Sequence, residues 1–362
     1  MAAKRVSIKD IAEAAGVSHP TVSRALRGQG RVAQKTRSRI LALAEEMGYT
    51  PSLVARGLVN QRSYSVGMVV TTIADPFYHD IVRGVEDTAL ANGYTLYLAT
   101  TNVDPDREMQ VVANFQGHRV DGIIVASSRV GARYADLLSE TGVPIVLVNS
   151  HADHSNIHSI AHDDYGGFGQ IVQHVIDRGY GRIAYLGNGR AGRAEQERRR
   201  AWRDILSQHG HTPAVSSVGP TGRQLGGTIG VQSVLDAAAA HWHDLPDAIC
   251  CYNDTMAIGA LKILREQGIR VPQDVALTGV DDIDMSAYTQ PSLTTWRQPR
   301  YEMGVQAMAL LLAQVNDARI ADARVADARA ADAKGADDPS TAPSPMRQEI
   351  ITHGELIVRD ST

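Results

Sequence analysis

From Ser65 onward the chain alternates short apolar runs of strand character with amphipathic runs at helical spacing, and that alternation leaves few architectures open. Residues 65–71 precede a helical run at 77–92, 95–100 precede 105–117, and 122–126 precede 135–139, with another strand-like run at 145–148. The scheme repeats through 166–178, 182–186, 193–208, 215–218, 226–236, 249–252, 254–267 and 275–278. Strands joined through helices pair in parallel, so this part reads as α/β: two open parallel sheets flanked by helices. Ligands of such sheets sit beyond the carboxyl ends of the strands, which predicts a cleft between two lobes.

The first 62 residues are of another kind. They carry 11 Lys/Arg against 4 Asp/Glu, an excess of seven positive charges, whereas the whole 362-residue chain has a net charge of −4. A basic head on an acidic body fits a polyanion-binding module joined to one that does not bind polyanions. Ser7 is placed to cap a helix whose Ile8, Ile11, Ala12 and Ala15 follow the i, i+3, i+4, i+7 spacing, and Gly16 ends it. Ser18 is placed to cap a second helix, with Pro20 in its first turn and Val22 and Leu26 facing inward. A third run, 36–47, aligns Ile40, Leu43, Ala44 and Met47 before Gly48. Three helices then enclose a small core. Burying Val17, Val22 and Leu26 leaves His19, Pro20, Thr21, Ser23 and Arg24 outward, a face that fits a major groove; an ordinary three-helix bundle is the competing reading of this segment alone.

The run IKDIAEAAGVS..TVSRAL, the pair Thr36–Arg37 and the stretch GYTPSLVARGL resemble the LacI/GalR family of bacterial transcription regulators, and YNDTMAIGAL, VPQDVALTGVDD, PSLTTWRQP and the terminal ELIVRDST match the same family. The resemblance covers nearly the whole chain. It implies a three-helix helix-turn-helix DNA-binding head over 1–49, a hinge helix and linker over 50–62, and a two-lobed, periplasmic-binding-protein-like body with parallel sheets over 63–362 that binds an effector and dimerises. The N-lobe is expected to take 63–160 plus 294–316 and the C-lobe 161–293 plus 348–362, with crossings near 159–162, 290–294 and after the final helix. The repeats DARIA, DARVA, DARAA and DAKGA lie in a low-complexity insert, 317–347, whose five-residue step forms no helical stripe although alanine favours helix locally; the family usually has a shorter connection here, so the resemblance implies an inserted surface loop.

The DNA-contacting set is Ser7, Ser18, His19, Pro20, Thr21, Ser23, Arg24 and Lys35. Ser18, Thr21, Ser23 and Lys35 are assigned to phosphates, and His19, Pro20 and Arg24 to the neighbourhood of base edges. In the hinge the set is Ser52, Ala55 and Leu58, where Leu58 matches the family's leucine that wedges between base pairs in the minor groove. The resemblance implies a homodimer on a palindromic double-stranded operator, acting as a repressor under a small-molecule effector.

Effector contacts are expected from Phe77, Asn149, Arg198, Asp254 and Asp281. Arg198 aligns with the family's effector arginine when Trp202 takes the usual aromatic position, but Arg199 and Arg200 leave that assignment open by one turn. Asp254 either caps the helix it begins or faces the ligand, and Phe77 either stacks on a sugar ring or joins the core. Near Thr221 the family often carries an aromatic ring that this chain lacks, which disfavours a stacked purine and favours a small sugar or sugar acid.

Other chemistry has less support. His151, His154, His158 and His162 have zinc-like helical spacing but fall around a strand end and a short crossing strand, so they are read as incidental histidines and no metal or cofactor is expected. The pairs Asp163–Asp164 and Asp281–Asp282 are sequence neighbours that rarely converge on a substrate, and no nucleophile elbow or phosphate loop appears, so the chain is not read as an enzyme. Cys250 and Cys251 are adjacent in an apolar run and read as small buried side chains. No apolar run reaches the roughly 20 residues that a spanning helix needs, so a cytoplasmic protein with no membrane partner is expected. The alternative reading is a cytoplasmic sugar-binding sensor without specific DNA binding.

Overall fold

The computed structural model describes residues 6–27, 30, 32–49, 62–128, 130, 142–150, 157–190, 192–213, 215–332 and 348–362. The expected hinge with Ser52, Ala55 and Leu58, the helix expected at 135–139, His151 and His154, and the second half of the insert lie outside these residues. The chain divides into two compact units, Met1–Ser63 and Tyr64–Thr362.

In the first unit α1 (Ile8–Ala15), α2 (His19–Arg27) and α3 (Gln34–Glu46) enclose Ile11, Ala12, Ala15, Val22, Ala25, Ile40 and Ala44. The entry to α1 is fixed by a reciprocal cap: the Asp10 carboxylate accepts from the Ser7 N–H at 2.7 Å, and the Ser7 hydroxyl accepts from the Asp10 N–H at 3.4 Å. Gly16 takes φ 62°, a left-handed value that lets the chain turn directly into α2.

The second unit holds two six-stranded sheets. The first is formed by β1 (Ser65–Val70), β2 (Thr95–Thr100), β3 (Gly122–Ala126), β4 (Ile145–Val148), β5 (His158–His162) and β11 (Glu349–Thr352), in the order β11-β5-β4-β3-β1-β2, all parallel. The second contains β6 (Ile183–Asn188), β7 (Ser216–Gly219), β8 (Ala248–Cys251), β9 (Ala276–Asp281), β10 (Thr294–Arg297) and β12 (Glu355–Ile357), in the order β12-β10-β9-β8-β6-β7, where only β12 runs antiparallel. Every residue of β1, β3, β4, β6, β8 and β9 is buried, as expected where helices cover both faces of a parallel sheet. Those helices are α4 (Phe77–Ala91), α5 (Pro105–Gly117) and α10 (Arg300–Asp332) on the first lobe, and α6 (Asp164–Asp177), α7 (Arg193–Gln208), α8 (Gln224–Trp242) and α9 (Asp254–Glu266) on the second. Gly84 of α4 faces Gly304 of α10 so closely that a Cβ on either would collide with the other helix's backbone, which anchors α10 to the first lobe.

Three features differ from expectation. Residues 294–297 are expected in the N-lobe, but β10 pairs with β9 in the second sheet, so the second crossing follows it at 298–300. Residues 349–352 are expected in the C-lobe, but β11 extends the first sheet beside β5, and the third crossing is the turn at His353–Gly354. Two similar sheets compete for such short strands, and apolar pattern alone does not say which one wins. Finally, 317–332 is not a loop but the continuation of α10. An alanine-rich segment needs no apolar stripe when it extends a helix that has already been nucleated.

The crossings are held by side chains from both lobes. The Trp296 indole of β10 donates to His162 Nε2 of β5 at 2.7 Å, and its ring packs over Gly167 and Gly354. Accepting that N–H requires a neutral imidazole, and burial lowers the His162 pKa to about 4. An unfolded histidine takes a proton near pH 6.5 while the folded one does not, so this contribution is intact above about 6.5 and is lost as pH falls toward 4. His162→Gln, which keeps an acceptor without titrating, should therefore flatten the decline in stability between those limits. Urea titrations giving parallel pH profiles for the two proteins would refute the assignment.

Candidate effector cleft and DNA-binding face

The carboxyl ends of both sheets open on one cavity of about 560 Å³. From the first lobe come Thr71, Thr72, Asp75, Phe77 and Tyr78 after β1, Asn102 and Val103 after β2, Ser127 and Ser128 after β3, and Asn149 and Ser150 after β4. From the second come Asn188 at the end of β6, Arg190 after it, Arg193 and Arg198 of α7, Thr221, Gly222 and Arg223 after β7, Tyr252 and Asn253 after β8, and Asp281 at the end of β9. Such convergence follows from parallel strands, whose carboxyl ends all lie on one side.

Arg198 is 4% exposed and held from two sides: its Nε donates to Asp164 Oδ1 at 2.8 Å, its Nη1 donates to the Tyr252 carbonyl at 2.6 Å, and the guanidinium lies 4.5 Å from the centre of the Tyr252 ring. Its neighbours in sequence point elsewhere. Arg199 pairs with Glu195 at 2.9 Å beside the Tyr185 ring, and Arg200 pairs with Glu197 at 2.7 Å over Tyr165. Asp281 Oδ1 accepts from the Gln298 side-chain amide at 2.8 Å. Burial raises its carboxyl well above the usual range, Arg198 opposes this, and Asp254 and Asp75 raise it further. Phe77 is nearly buried, meets Tyr78 edge-on at 5.2 Å and shows one side to the cavity. Burial and the charge of Asp75 raise the Tyr78 hydroxyl to about 12, so it remains a donor at neutral pH.

In the head, Ser18, His19, Pro20 and Arg24 are exposed at the start of α2, Thr21 and Ser23 are half-buried beside them, and Lys35 is exposed at the start of α3. The Ser18 and Thr21 hydroxyls lie 2.8 Å apart in a hydrogen bond. Ser7 is exposed, but its hydroxyl already donates to Asp10 at 2.7 Å.

The pattern of the bacterial regulatory proteins of the lacI family matches residues 7–52, and that of the periplasmic binding protein-like domain matches 172–330. The HTH-type transcriptional repressor PurR of Photobacterium profundum is 30% identical over 314 residues, covering 86% of this chain and 92% of that protein. Catabolite control protein A of Priestia megaterium is 31% identical over 318 residues, covering 86% of this chain and 93% of that protein. The chain belongs to the LacI family. Among solved structures, the transcriptional regulator CelR–cellobiose complex superposes with a TM-score of 0.69 at 27% identity, over 99% of this chain and all of that one. The lac repressor dimer bound to operator and the anti-inducer ONPF shares the fold, with a TM-score of 0.80 at 24% identity over 99% of both chains.

Of the effector contacts expected for this LacI-family chain, Phe77, Asn149, Arg198 and Asp281 line the cleft, and Asp254 does not. Asp254 is fully buried, where its carboxylate accepts from Ile283 N–H at 3.0 Å, Ser286 Oγ at 2.7 Å and Thr295 Oγ1 at 2.5 Å. It ties the start of α9 to β10 and to the 3-10 turn Asp284–Ala287. Nor does it cap α9: Asn253 does, accepting from the Met256 N–H at 2.9 Å, and Asn253 is the residue on the cavity wall. Sequence reasoning also missed Asn188, Tyr252 and Arg223; the signal available for Asn253 and Tyr252 was their place in YND, directly after a strand. Among the described residues no three His, Cys, Asp or Glu gather as a metal site, and no helix is long and apolar enough to cross a membrane. His158 and His162 lie on β5, and His158 Nδ1 accepts from the Gln348 N–H at 3.2 Å.

Asp254→Ala leaves the Ile283 amide and two hydroxyls without an acceptor in a dry interior, and should cost about 3 kcal/mol. Denaturant midpoints check this, and a loss below about 1 kcal/mol would remove Asp254 from the lobe's framework.

Proposed function

We propose that this LacI-family protein is a homodimeric, sequence-specific transcriptional repressor whose hold on DNA is set by a small carbohydrate-like effector in the cleft between the lobes. One observation carries the reading. A single chain joins a basic helix-turn-helix unit, with His19, Pro20 and Arg24 exposed on α2, to a two-lobed body whose strand ends converge on a ligand-sized cavity. The named relatives support the repressor role, and the ribose operon repressor of Haemophilus influenzae, 30% identical over 317 residues, supports a sugar, as does the cellobiose in the CelR complex.

Dimerisation is supported by the sheet edges. β2 and β7 occupy the same terminal position in their sheets, and each carries large apolar side chains in the open: Tyr97 and Leu98 on β2, Val218 on β7, with Leu225 and Ile229 on α8, all between 42% and 61% exposed. A second copy covering both edges removes that apolar surface from water and closes the edges against further pairing. Two heads then read half-sites related by the dimer axis, the backbone contacts being Ser18, Thr21, Ser23 and Lys35, with Ser7 beside them in the DNA-contacting set, and the hinge contacts Ser52, Ala55 and Leu58.

Arg24→Ala is expected to weaken binding to a symmetric operator by about 1–3 kcal/mol while leaving binding to random duplex nearly unchanged, and Leu58→Ala to reduce specific binding alone. Titrations at fixed salt measure both. Full operator affinity in both variants, or equal binding of operator and random duplex by the parent protein, would overturn the reading.

A further inference from the structure

The two walls of the cleft differ in charge. On the first lobe the cavity meets hydroxyls, amides and aromatic rings, with Asp75 as its carboxylate. The second lobe presents four arginines: Arg190, Arg193, Arg198 and Arg223. Arg198 is neutralised by Asp164 at 2.7 Å. Arg193 has Glu349 at 3.9 Å, the outer limit of pairing, and both partners are partly in water. Arg190 and Arg223 are exposed and have no salt-bridge partner among the described residues. Arg223 lies within the field of Asp75 on the opposite wall.

The backbone brings these side chains to one rim. β6 and β7 pair with Asn188 opposite Gly219, the Gly189 N–H donates to the Gly219 carbonyl at 2.9 Å, and Asn253 Nδ2 donates to the Gly222 carbonyl at 3.0 Å. The loops carrying Arg190 and Arg223 are thus adjacent. Each leads into a helix that lacks a side-chain cap: α7 begins after Gly192 and α8 after Arg223, whereas Asp104, Asp163 and Asn253 cap α5, α6 and α9. Two uncapped helix starts flanked by unpaired guanidiniums make a positive rim, while the floor, with Asn149, Asn253 and the hydrogen-bonded Asp281, offers donors and acceptors suited to hydroxyls.

Resting on the effector-cleft reading above, we infer that the effector is an anionic polyol, a sugar phosphate or sugar acid, whose hydroxyls face Asn149 and Asp281 and whose charged end lies against Arg190 and Arg223. A cavity of about 560 Å³ holds a molecule of that size.

The test uses the full chain and calorimetric titration with three matched sets: ribose and ribose 5-phosphate, glucose and glucose 6-phosphate, glucose and gluconate. At least one anion is expected to bind 10-fold or more tightly than its neutral parent, with affinity falling as salt rises. The phosphates and gluconate separate the two anion types. The double variant R190Q/R223Q, altering two exposed side chains, should weaken that anion about 10- to 100-fold. Neutral parents binding as tightly as the anions, no binding by any anion, or an unchanged affinity in R190Q/R223Q would each overturn the inference. Operator titrations with each hit separate the two claims: a neutral sugar that binds and alters operator affinity sinks the charge inference alone, whereas bound ligands of either kind that leave operator affinity unchanged sink the effector reading.

Discussion

Strand polarity decides where everything else in the body goes. With β12 as the antiparallel exception, the strands of each sheet run one way, and the two sets of carboxyl ends face a common cavity. At those ends the chain must leave the sheet abruptly, and it does so through left-handed backbone at residues that are not glycine: Asn102 at φ 53°, Val103 at 66°, Ser127 at 54°, Asn149 at 51° and Asp281 at 111°. Each costs on the order of 1 kcal/mol, least for the asparagines, and glycine would relieve it. All five line the cleft. Strain of this kind keeps side chains where a relaxed turn would have none, and the buried strands behind them supply the stability that tolerates it.

That arrangement explains which parts of the fold and the site were legible in the sequence. Alternation of strand and helix, the three head helices and the cleft at the strand ends follow from periodicity and polarity, which are local in sequence. Choosing among Arg198, Arg199 and Arg200 is not local, because three consecutive helical residues point in directions 100° apart and only the packed neighbours Asp164, Glu195 and Glu197 settle which one turns inward. Asp254 and Asn253 are likewise one residue apart at a strand-to-helix junction, and the fold gives the asparagine to the cavity and the aspartate to the interior. The same limit applies to β10 and β11, whose composition suits either sheet. For α10, alanine-rich repeats without an apolar stripe do not announce a long helix, yet a helix that already packs on α4 through Gly84 and Gly304 extends without one.

Buried charge sets the tone of the cleft. Asp254 is buried behind the second wall and Asp281 lies on it; burial raises Asp254 to about 7 against the bonds from Thr295, Ser286 and Ile283, and raises Asp281 well above its ordinary range against the charge of Arg198. Of the two only Asp281 reaches the cavity, where a carboxyl already bonded to Gln298 presents polar oxygen to a ligand with hydroxyl groups. Arg198, saturated by Asp164 and the Tyr252 carbonyl, stabilises this floor more than it competes for an anion. Free positive charge is left to the rim.

The crossings are the covalent links between the two lobes. There the two lobes share polar contacts: Trp296 with His162, and Arg300, which pairs with Asp80 of the first lobe at 2.8 Å while donating to the Asp282 carbonyl of the second at 3.2 Å. Asp282 in turn holds Arg297 at 2.7 Å and Arg359 at 2.6 Å. A bound molecule changes DNA affinity only by the difference in its binding free energy between two arrangements of these contacts. A 100-fold change in operator affinity requires about 2.7 kcal/mol of that difference, the scale of one or two charge-assisted hydrogen bonds made in one arrangement and lost in the other. Contacts on a single wall are equal in both arrangements and contribute nothing to switching. A ligand that reaches from Asn149 on the first lobe to Asp281 and the arginines on the second spans both walls and meets that requirement.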